Sequence, residues 1–295
     1  MPPEPAIREP VAGSAASGYL RGLRAFAGFV VTMAVTFLGL LAITFFIGRV
    51  VPIDPVLAVV GDRAPPAVYE KARLALGLDQ PLIVQFGHYV GNILQGDFGV
   101  SVSTKNPVIE DLARVFPATL EMATLGIIIG VLIGVPMGVY AASRKGSLTD
   151  QAIRVLGLLG YSVPAFWLGL VGLSLFYAKL KWVGGPGRID IYYDGLVPPV
   201  TGLLLVDSLI AGDWDVFFNA IDHLLLPSFV LGFYSLAYIA RMTRSFMLDQ
   251  LGQEYITTAR VKGVPERLVL WRHAFRPILV PLITVIGLSY AGLVE

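Results

Sequence analysis

The chain has 295 residues, 55% of them hydrophobic and only 15% charged, with a mean hydropathy of +0.71 and a formal net charge of +1. A soluble domain of this length carries about 25% charged residues, so an ordinary soluble fold is excluded and an all-α polytopic membrane protein is predicted. The near-zero total charge says little, because what matters in a membrane protein is how charge divides between its two faces. With no cysteine, the sequence carries no redox signal.

In chain order, the first 20 residues are rich in Pro, Ala, Gly and Ser, with Glu4, Arg8 and Glu9 as their charges, and residues 1–24 are predicted to form a disordered cytoplasmic tail. Arg21 and Arg24 precede an uncharged run, 25–48, longer than the roughly 20 helical residues that cross a bilayer core. A signal peptide would have an apolar stretch of about 7–15 residues and a small-residue cleavage site. Here Arg49, Val50, Val51 and Pro52 follow, so 25–48 is read as an uncleaved first transmembrane helix.

Residues 49–116 mix Pro, Gly, acids and helix formers with no window long enough to span, and are predicted to be an external region. The remainder, 117–295, forms a transmembrane core with four more uncharged windows, at 122–143, 155–178, 223–240 and 277–294, making five predicted spans. The shorter apolar stretch 195–206 contains Pro198 and Pro199 and is read as an external loop or surface-lying segment. Within the second span, Gly126, Gly130, Gly134 and Gly138 recur at intervals of four, which places them on one slowly drifting face where another helix can approach closely. Tight helix packing is the simpler reading than a role in a pathway. Pro136 and Pro164 are predicted to kink their spans.

Charge asymmetry orients the chain. With the N-terminus inside, the tail, the loop after Ser143 and the segment 241–276 hold 13 of the 22 basic residues and 6 of the 21 acids, giving +7 inside against −6 outside. The inner arginines lie close to span ends, where the positive-inside bias acts most strongly, so the N-terminus is predicted to be cytoplasmic.

What the spans lack bears on the energy source. No Asp, Glu, Lys or Arg lies within the five windows, whereas ion-coupled carriers keep such groups near the midplane. His223, beside Asp222, is read as an interfacial histidine at a span's edge. The chain has no G-x-x-x-x-G-K-[ST] phosphate loop and so is not a nucleotide hydrolase of that class. His88, His223 and His273 lack metal-ligand spacing, and no serine sits in a nucleophile elbow, so no catalytic, metal or cofactor residue is assigned. The acids Asp207, Asp213, Asp215 and Asp222 are read as a solvated external surface.

The segment 254–276, EYITTARVKGVPERLVLWRHAFR, is a charged, helix-forming insert between two long apolar segments. Gly263 closely followed by Pro265 stops a first helix near Lys262, since glycine accepts the left-handed cap and proline blocks continuation. Pro265 opens a second helix, with Glu266 near the positive end of its dipole and Leu268, Trp271 and Phe275 at roughly helical spacing. Two short helices joined at an angle are predicted.

The run Thr258-Ala259-Arg260-Val261-Lys262-Gly263, followed by Arg272-His273-Ala274-Phe275-Arg276, resembles the cytoplasmic signature loop of ABC-importer permeases of the dipeptide/oligopeptide/nickel branch. Gly77-Leu78-Asp79-Gln80-Pro81-Leu82, Gly96-Asp97-Phe98-Gly99 with Ser101, Pro117-Ala118-Thr119-Leu120-Glu121 and Ser162-Val163-Pro164-Ala165-Phe166-Trp167-Leu168 match that branch in the same order. Importers in general carry Glu-Ala-Ala six to four residues before the glycine. Here those positions are Thr257, Thr258 and Ala259, and the later proline of the general pattern falls on Arg276.

The resemblance implies the transmembrane fold of a type I importer with six spans. This chain would then supply half of a translocation pathway for di- or oligopeptides, beside a homologous second permease. Two cytoplasmic ATP-binding subunits holding ATP and Mg and an external solute-binding protein are the further partners, with no cofactor in this subunit. Five spans starting inside leave Glu295 outside, so the sixth span and a C-terminal portion are expected to lie beyond the sequence. The resemblance marks Glu254, Tyr255, Thr258, Ala259, Arg260, Lys262, Gly263, Arg272, His273 and Arg276 as the ATPase-coupling loop. In that reading the helix of Tyr255, Ala259 and Lys262 enters a cleft on an ATPase, small Ala259 permits close approach, and motion passes through Trp271 and Phe275 to the last span. An ion-coupled secondary carrier, or nickel in place of peptide, is the alternative.

Overall fold

The computed structural model describes residues 13–50, 55–61, 63–101 and 103–295, so residues 1–12 of the expected tail lie outside the described residues. Among the described residues the regular elements are helical, and Val100 and Pro107 form an isolated antiparallel β-bridge. The chain divides into two compact units, Met1–Asp111 and Leu112–Glu295.

The first unit contains α1 (Gly13–Val50), α2 (Pro55–Val60), α3 (Pro66–Ala75) and α4 (Leu82–Leu94). Helix α1 starts at Gly13, so 13–24 differs from the disordered tail expected there. Ala15, Ala16, Leu20, Arg21, Leu23 and Arg24 are strong helix formers that extend the apolar segment backwards. Phe45 of α1 is buried against Phe86 and Tyr89 of α4, with ring centroids 5.5 and 5.6 Å apart. Most of the remaining apolar surface of α1 is uncovered, as in Phe29, Val35 and Ile43, which suits contact with lipid.

Two quoted motifs of this unit are chain-reversal devices. Gly77 adopts φ +63°, its N–H donates to Leu74 O at 3.0 Å and the N–H of Leu78 donates to Arg73 O at 3.1 Å, which closes α3 in a Schellman motif before Pro81 leads into α4. In Gly96-Asp97-Phe98-Gly99, Asp97 Oδ1 accepts the Gly99 N–H at 2.9 Å, and Gly99 O then accepts the N–H of Val108 at 2.9 Å.

Helix α5 (Val108–Ser143) carries most of its length in the second unit. It is followed by α6 (Leu148–Ser162), α7 (Ala165–Gly172) with a π-helical continuation Leu173–Lys179, α8 (Leu204–Ala211) and α9 (Trp214–Leu251). Then come α10 (Glu254–Val261) and α11 (Glu266–Leu268), which runs through a π-helical stretch, Val269–Ala274, into α12 (Phe275–Val294). Among the described residues, four helices are long and apolar enough to cross a membrane: Arg21–Gly48, Val108–Ser143, Trp214–Leu251 and Glu266–Val294. Leu148–Gly160 and Ala165–Lys179 form a further pair that passes the same test together but is bent by 97°.

That bend has a local cause. Pro164 lacks an N–H, and its ring disfavours the helical region for Val163, which is extended at φ −95° and ψ 123°. The Val163 carbonyl, freed from the helix ladder, accepts the hydroxyl of Tyr234 from α9. Pro136, by contrast, lies inside α5 without ending it.

Helices α5 and α9 run parallel in close contact, and the four glycines form the seam. A Cβ placed on Gly130 would lie 2.5 Å from Ser235 Cβ, and one on Gly138 would lie 2.6 Å from Ala240 O. On Gly126 and Gly134 the nearest atoms, Leu231 Cβ and Leu236 O, would each be 3.0 Å away. Gly160 of α6 faces Ala237 of α9 in the same way, at 2.4 Å. Without a side chain on one partner the backbones approach, and in lipid such close packing is what drives helices together.

Candidate functional site

Helix α10 is short and ends as its residues dictate. Gly263 takes φ +75°, its N–H donates to Arg260 O at 2.9 Å, and the N–H of Val264 donates to Ala259 O at 3.1 Å, the paired bonds of a Schellman motif. Pro265 then starts the next helix. Arg260 and Glu266 bridge the turn in a bidentate pair, with Nε to Oε2 at 3.1 Å and Nη2 to Oε1 at 2.7 Å, and this fixes the angle between α10 and α11. Hydrogen bonding to Glu266 holds the Arg260 guanidinium above its ordinary pKa despite partial burial.

One face of α10 is anchored. Ile256 and Ala259 are buried with Val139 and Ala142 of α5, Met247 of α9, Val269, Ala274 and Ile278. Ala259 therefore approaches this chain's own span ends, a correction to the expectation that it faces a partner; the i, i+3 spacing from Ile256 puts it on the covered face. Glu254, Tyr255, Thr258, Arg260, Lys262 and Gly263 lie on the exposed side. Glu254 sits in the first turn and Arg260 in the last, each favourable to the helix dipole. The Tyr255 hydroxyl donates to Gln250 Oε1 at 2.8 Å and lies 3.4 Å from the His273 carbonyl, so it steadies α10 against both flanking elements.

The second limb also differs from expectation. No separate helix forms after Pro265, because residues 266–276 continue without a break into the last span, giving one helix over Glu266–Val294. Arg276, standing where the general pattern has proline, is compatible with that continuity, and Pro277 falls near the start of α12. Trp271 packs edge-on against Phe275 with centroids 5.2 Å apart. Arg272 and Arg276 are exposed, and His273 is half-buried.

Among the described residues, two ion pairs with buried carboxylates have no counterpart in the sequence reading. At the α10 end of the bundle, Arg244 of α9 grips Asp150 of α6 with Nε to Oδ1 at 2.5 Å and Nη2 to Oδ2 at 2.9 Å. The Asp150 side chain is 1% exposed, and its carboxylate also accepts the Gly146 N–H at 3.0 Å. Ser147 caps α6 by accepting the Asp150 N–H, and this S-x-x-D spacing was the available signal. At the opposite end, Glu121 of α5 accepts Arg188 Nη2 at 2.8 Å and the Leu205 N–H at 2.7 Å, while Arg188 also donates to Gly202 O at 3.0 Å.

The loop 180–213 is therefore clamped to α5, and its acids are not all solvated as expected. Asp207 is buried, and it accepts the Thr201 N–H and hydroxyl at 2.8 and 2.7 Å and the Gly202 N–H at 3.0 Å. Burial alone would raise its pKa, but these hydrogen bonds together hold it below the ordinary carboxylate value. Asp213 caps α9 by accepting the Val216 N–H at 3.1 Å. His223 is also buried: Gly184 lies against its ring, Nδ1 is 3.3 Å from Asn219 O and Nε2 is 3.5 Å from Asp190 Oδ1. Among the described residues, His223 is the one titratable group on the wall of an apolar cavity of about 490 Å³ bounded by Met122, Phe166, Leu173 and Leu231. Among the described residues no three His, Asp or Glu side chains converge to hold a metal.

A glycine-seamed bundle of long apolar helices with a short, capped helix packed across its span ends is the architecture of a multi-pass helical membrane protein. Residues 134–295 match the family of binding-protein-dependent transport system inner membrane components, and residues 23–123 match the N-terminal family of such membrane components. The chain belongs to this family, the permeases of ABC importers. It is 44% identical over 257 residues to a probable D,D-dipeptide transport system permease of Escherichia coli strain K12, covering 86% of this chain and 75% of that protein. A di/tripeptide transport system permease of Pseudomonas aeruginosa strain UCBPP-PA14 is 42% identical over 88% of this chain and 76% of its own. A dipeptide transport system permease of Haemophilus influenzae is 39% identical over 88% and 78% respectively.

Proposed function

We propose that this chain is the permease subunit of an ATP-driven importer of di- or oligopeptides, supplying half of the translocation pathway. The observation that carries this reading is the 38–44% identity, over most of the chain, to permeases named for dipeptide or di/tripeptide transport. Its partners are a homologous permease, two cytoplasmic ATP-binding subunits and an external solute-binding protein. ATP and Mg belong to the ATP-binding subunits, and this chain holds no cofactor.

Helix α10 is the element that meets an ATP-binding subunit. Its exposed face, Glu254, Tyr255, Thr258, Arg260 and Lys262, is offered for docking, while Ile256 and Ala259 transmit movement to the ends of α5 and α9. Trp271 and Phe275 carry the same movement into α12. The N-terminus is cytoplasmic, in keeping with the positive-inside bias.

The test is uptake by proteoliposomes holding the assembled transporter and its binding protein. Dipeptide uptake that requires ATP supports the proposal, and dipeptides should compete with one another while nickel does not. Uptake driven by an ion gradient without ATP contradicts it.

A further inference from the structure

We propose that an open groove of about 770 Å³ beside residues 267–279 binds the phosphate headgroup of an anionic phospholipid, with Arg267, Arg272 and Arg276 as its ligands. All three arginines are exposed, and among the described residues none has an acidic partner. They converge because the backbone is π-helical over Val269–Ala274. Arg267 stands just before this stretch and Arg272 within it, and the wider π turn between them brings residues five apart nearer to one face, with Arg276 four residues further on lining the same groove. In an unbroken α-helix Arg267 and Arg272 would diverge.

The surroundings select a lipid. Leu268, Trp271 and Leu279 complete the lining, and uncovered Val280 and Ile283 continue the apolar surface along α12. Arginines with a tryptophan at the end of an apolar span are the residue types of a membrane–water boundary. Guanidinium groups match phosphate oxygens bidentately, and basic pockets beside spans take anionic headgroups while the acyl chains follow the helix. An acidic surface of an ATP-binding subunit is the competing occupant, but the lining runs along the helix from Arg267 to Leu279 and includes no residue of α10, whose docking face lies across the Gly263 turn. The lipid site depends on α12 being a span and not on the docking of α10, so lipid preference and coupled uptake fail separately.

Trp271 reports on the site. The assembled transporter would be placed in phosphatidylcholine nanodiscs containing a minor fraction of brominated phosphatidylglycerol or brominated phosphatidylcholine. Trp271 quenching is isolated by subtracting the signal of Trp271→Phe, since the chain has four tryptophans. At about fivefold per arginine, phosphatidylglycerol should be preferred on the order of a hundredfold. The triple variant Arg267→Gln, Arg272→Gln, Arg276→Gln should lose that preference, and the corresponding triple Lys variant, which keeps the charge and guards against misassembly, should retain most of it. Equal quenching by both lipids in the native protein overturns the site, as does a preference that persists in the Gln variant or vanishes in an assembled Lys variant. Loss of the ATP-binding subunits from the Gln variant, with lipid preference unchanged, assigns the arginines to protein contact and also overturns it.

Discussion

The two ends of the α5–α9 bundle are held by different physics. At the Glu121 end, the loop 180–213 is fastened by directional polar bonds: Glu121 to Arg188 and Leu205, and Asp207 to Thr201 and Gly202. At the α10 end, Ile256 and Ala259 rest on an apolar floor of Val139, Ala142 and Met247, and the Asp150–Arg244 pair ties α6 to α9 beside them. Hydrogen bonds fix distance and angle, whereas apolar contact is non-directional and tolerates small sliding. A clamped loop at one end and a rigid helix on an apolar floor at the other suit a subunit whose moving part is α10.

Breaking the Asp150–Arg244 pair should have the largest effect. Asp150→Ala leaves Arg244 without its partner and should cost about 3–5 kcal/mol, read as a large fall in thermal midpoint of the purified protein. Arg188→Ala, at the other end, should cost less, about 1–3 kcal/mol: the Glu121 carboxylate left behind is buried but keeps its bond from the Leu205 N–H, and water can enter where the partly exposed Arg188 side chain stood. An Arg188 variant as damaging as the Asp150 variant would erase the distinction between the ends.

Acid should act on the Glu121 end through Asp207. Its native pKa lies below the ordinary value of about 3.9, so the stability it contributes is complete above that value and is lost as pH falls through the depressed native pKa. Limited proteolysis should find the loop 180–213 protected at neutral pH and cleaved in strong acid. Asp207→Asn should make it cleavable already at neutral pH, while segment 254–263 stays as protected as in the native protein.

Much of this was legible in the sequence where the cause is local. The helix stop at Gly263 and Pro265 needs only backbone geometry, and the glycine spacing from 126 to 138 shows directly as a face for close approach. What could not be read depends on distant or context-set partners. Asp150 and Arg244 lie 94 residues apart, each indistinguishable from a solvated charge near a span end. Asp207 sits among acids whose composition suggests a wet surface, and only the turn at Thr201 and Gly202 buries it. The π-helical register of 269–274 has no residue signature, so the continuity of α11 with α12 was hidden as well.

The smallest change in stability should accompany the largest change in coupling. Gly263→Val places a β-branched residue at φ +75° and should cost only about 1–2 kcal/mol, yet it redirects α10 from its floor. The decisive measurement is ATP hydrolysis and dipeptide uptake side by side, in proteoliposomes containing the assembled transporter with and without Gly263→Val. If α10 carries the motion, the variant should assemble and still hydrolyse ATP while uptake per ATP falls severalfold; an intact complex with unchanged uptake per ATP would contradict the account.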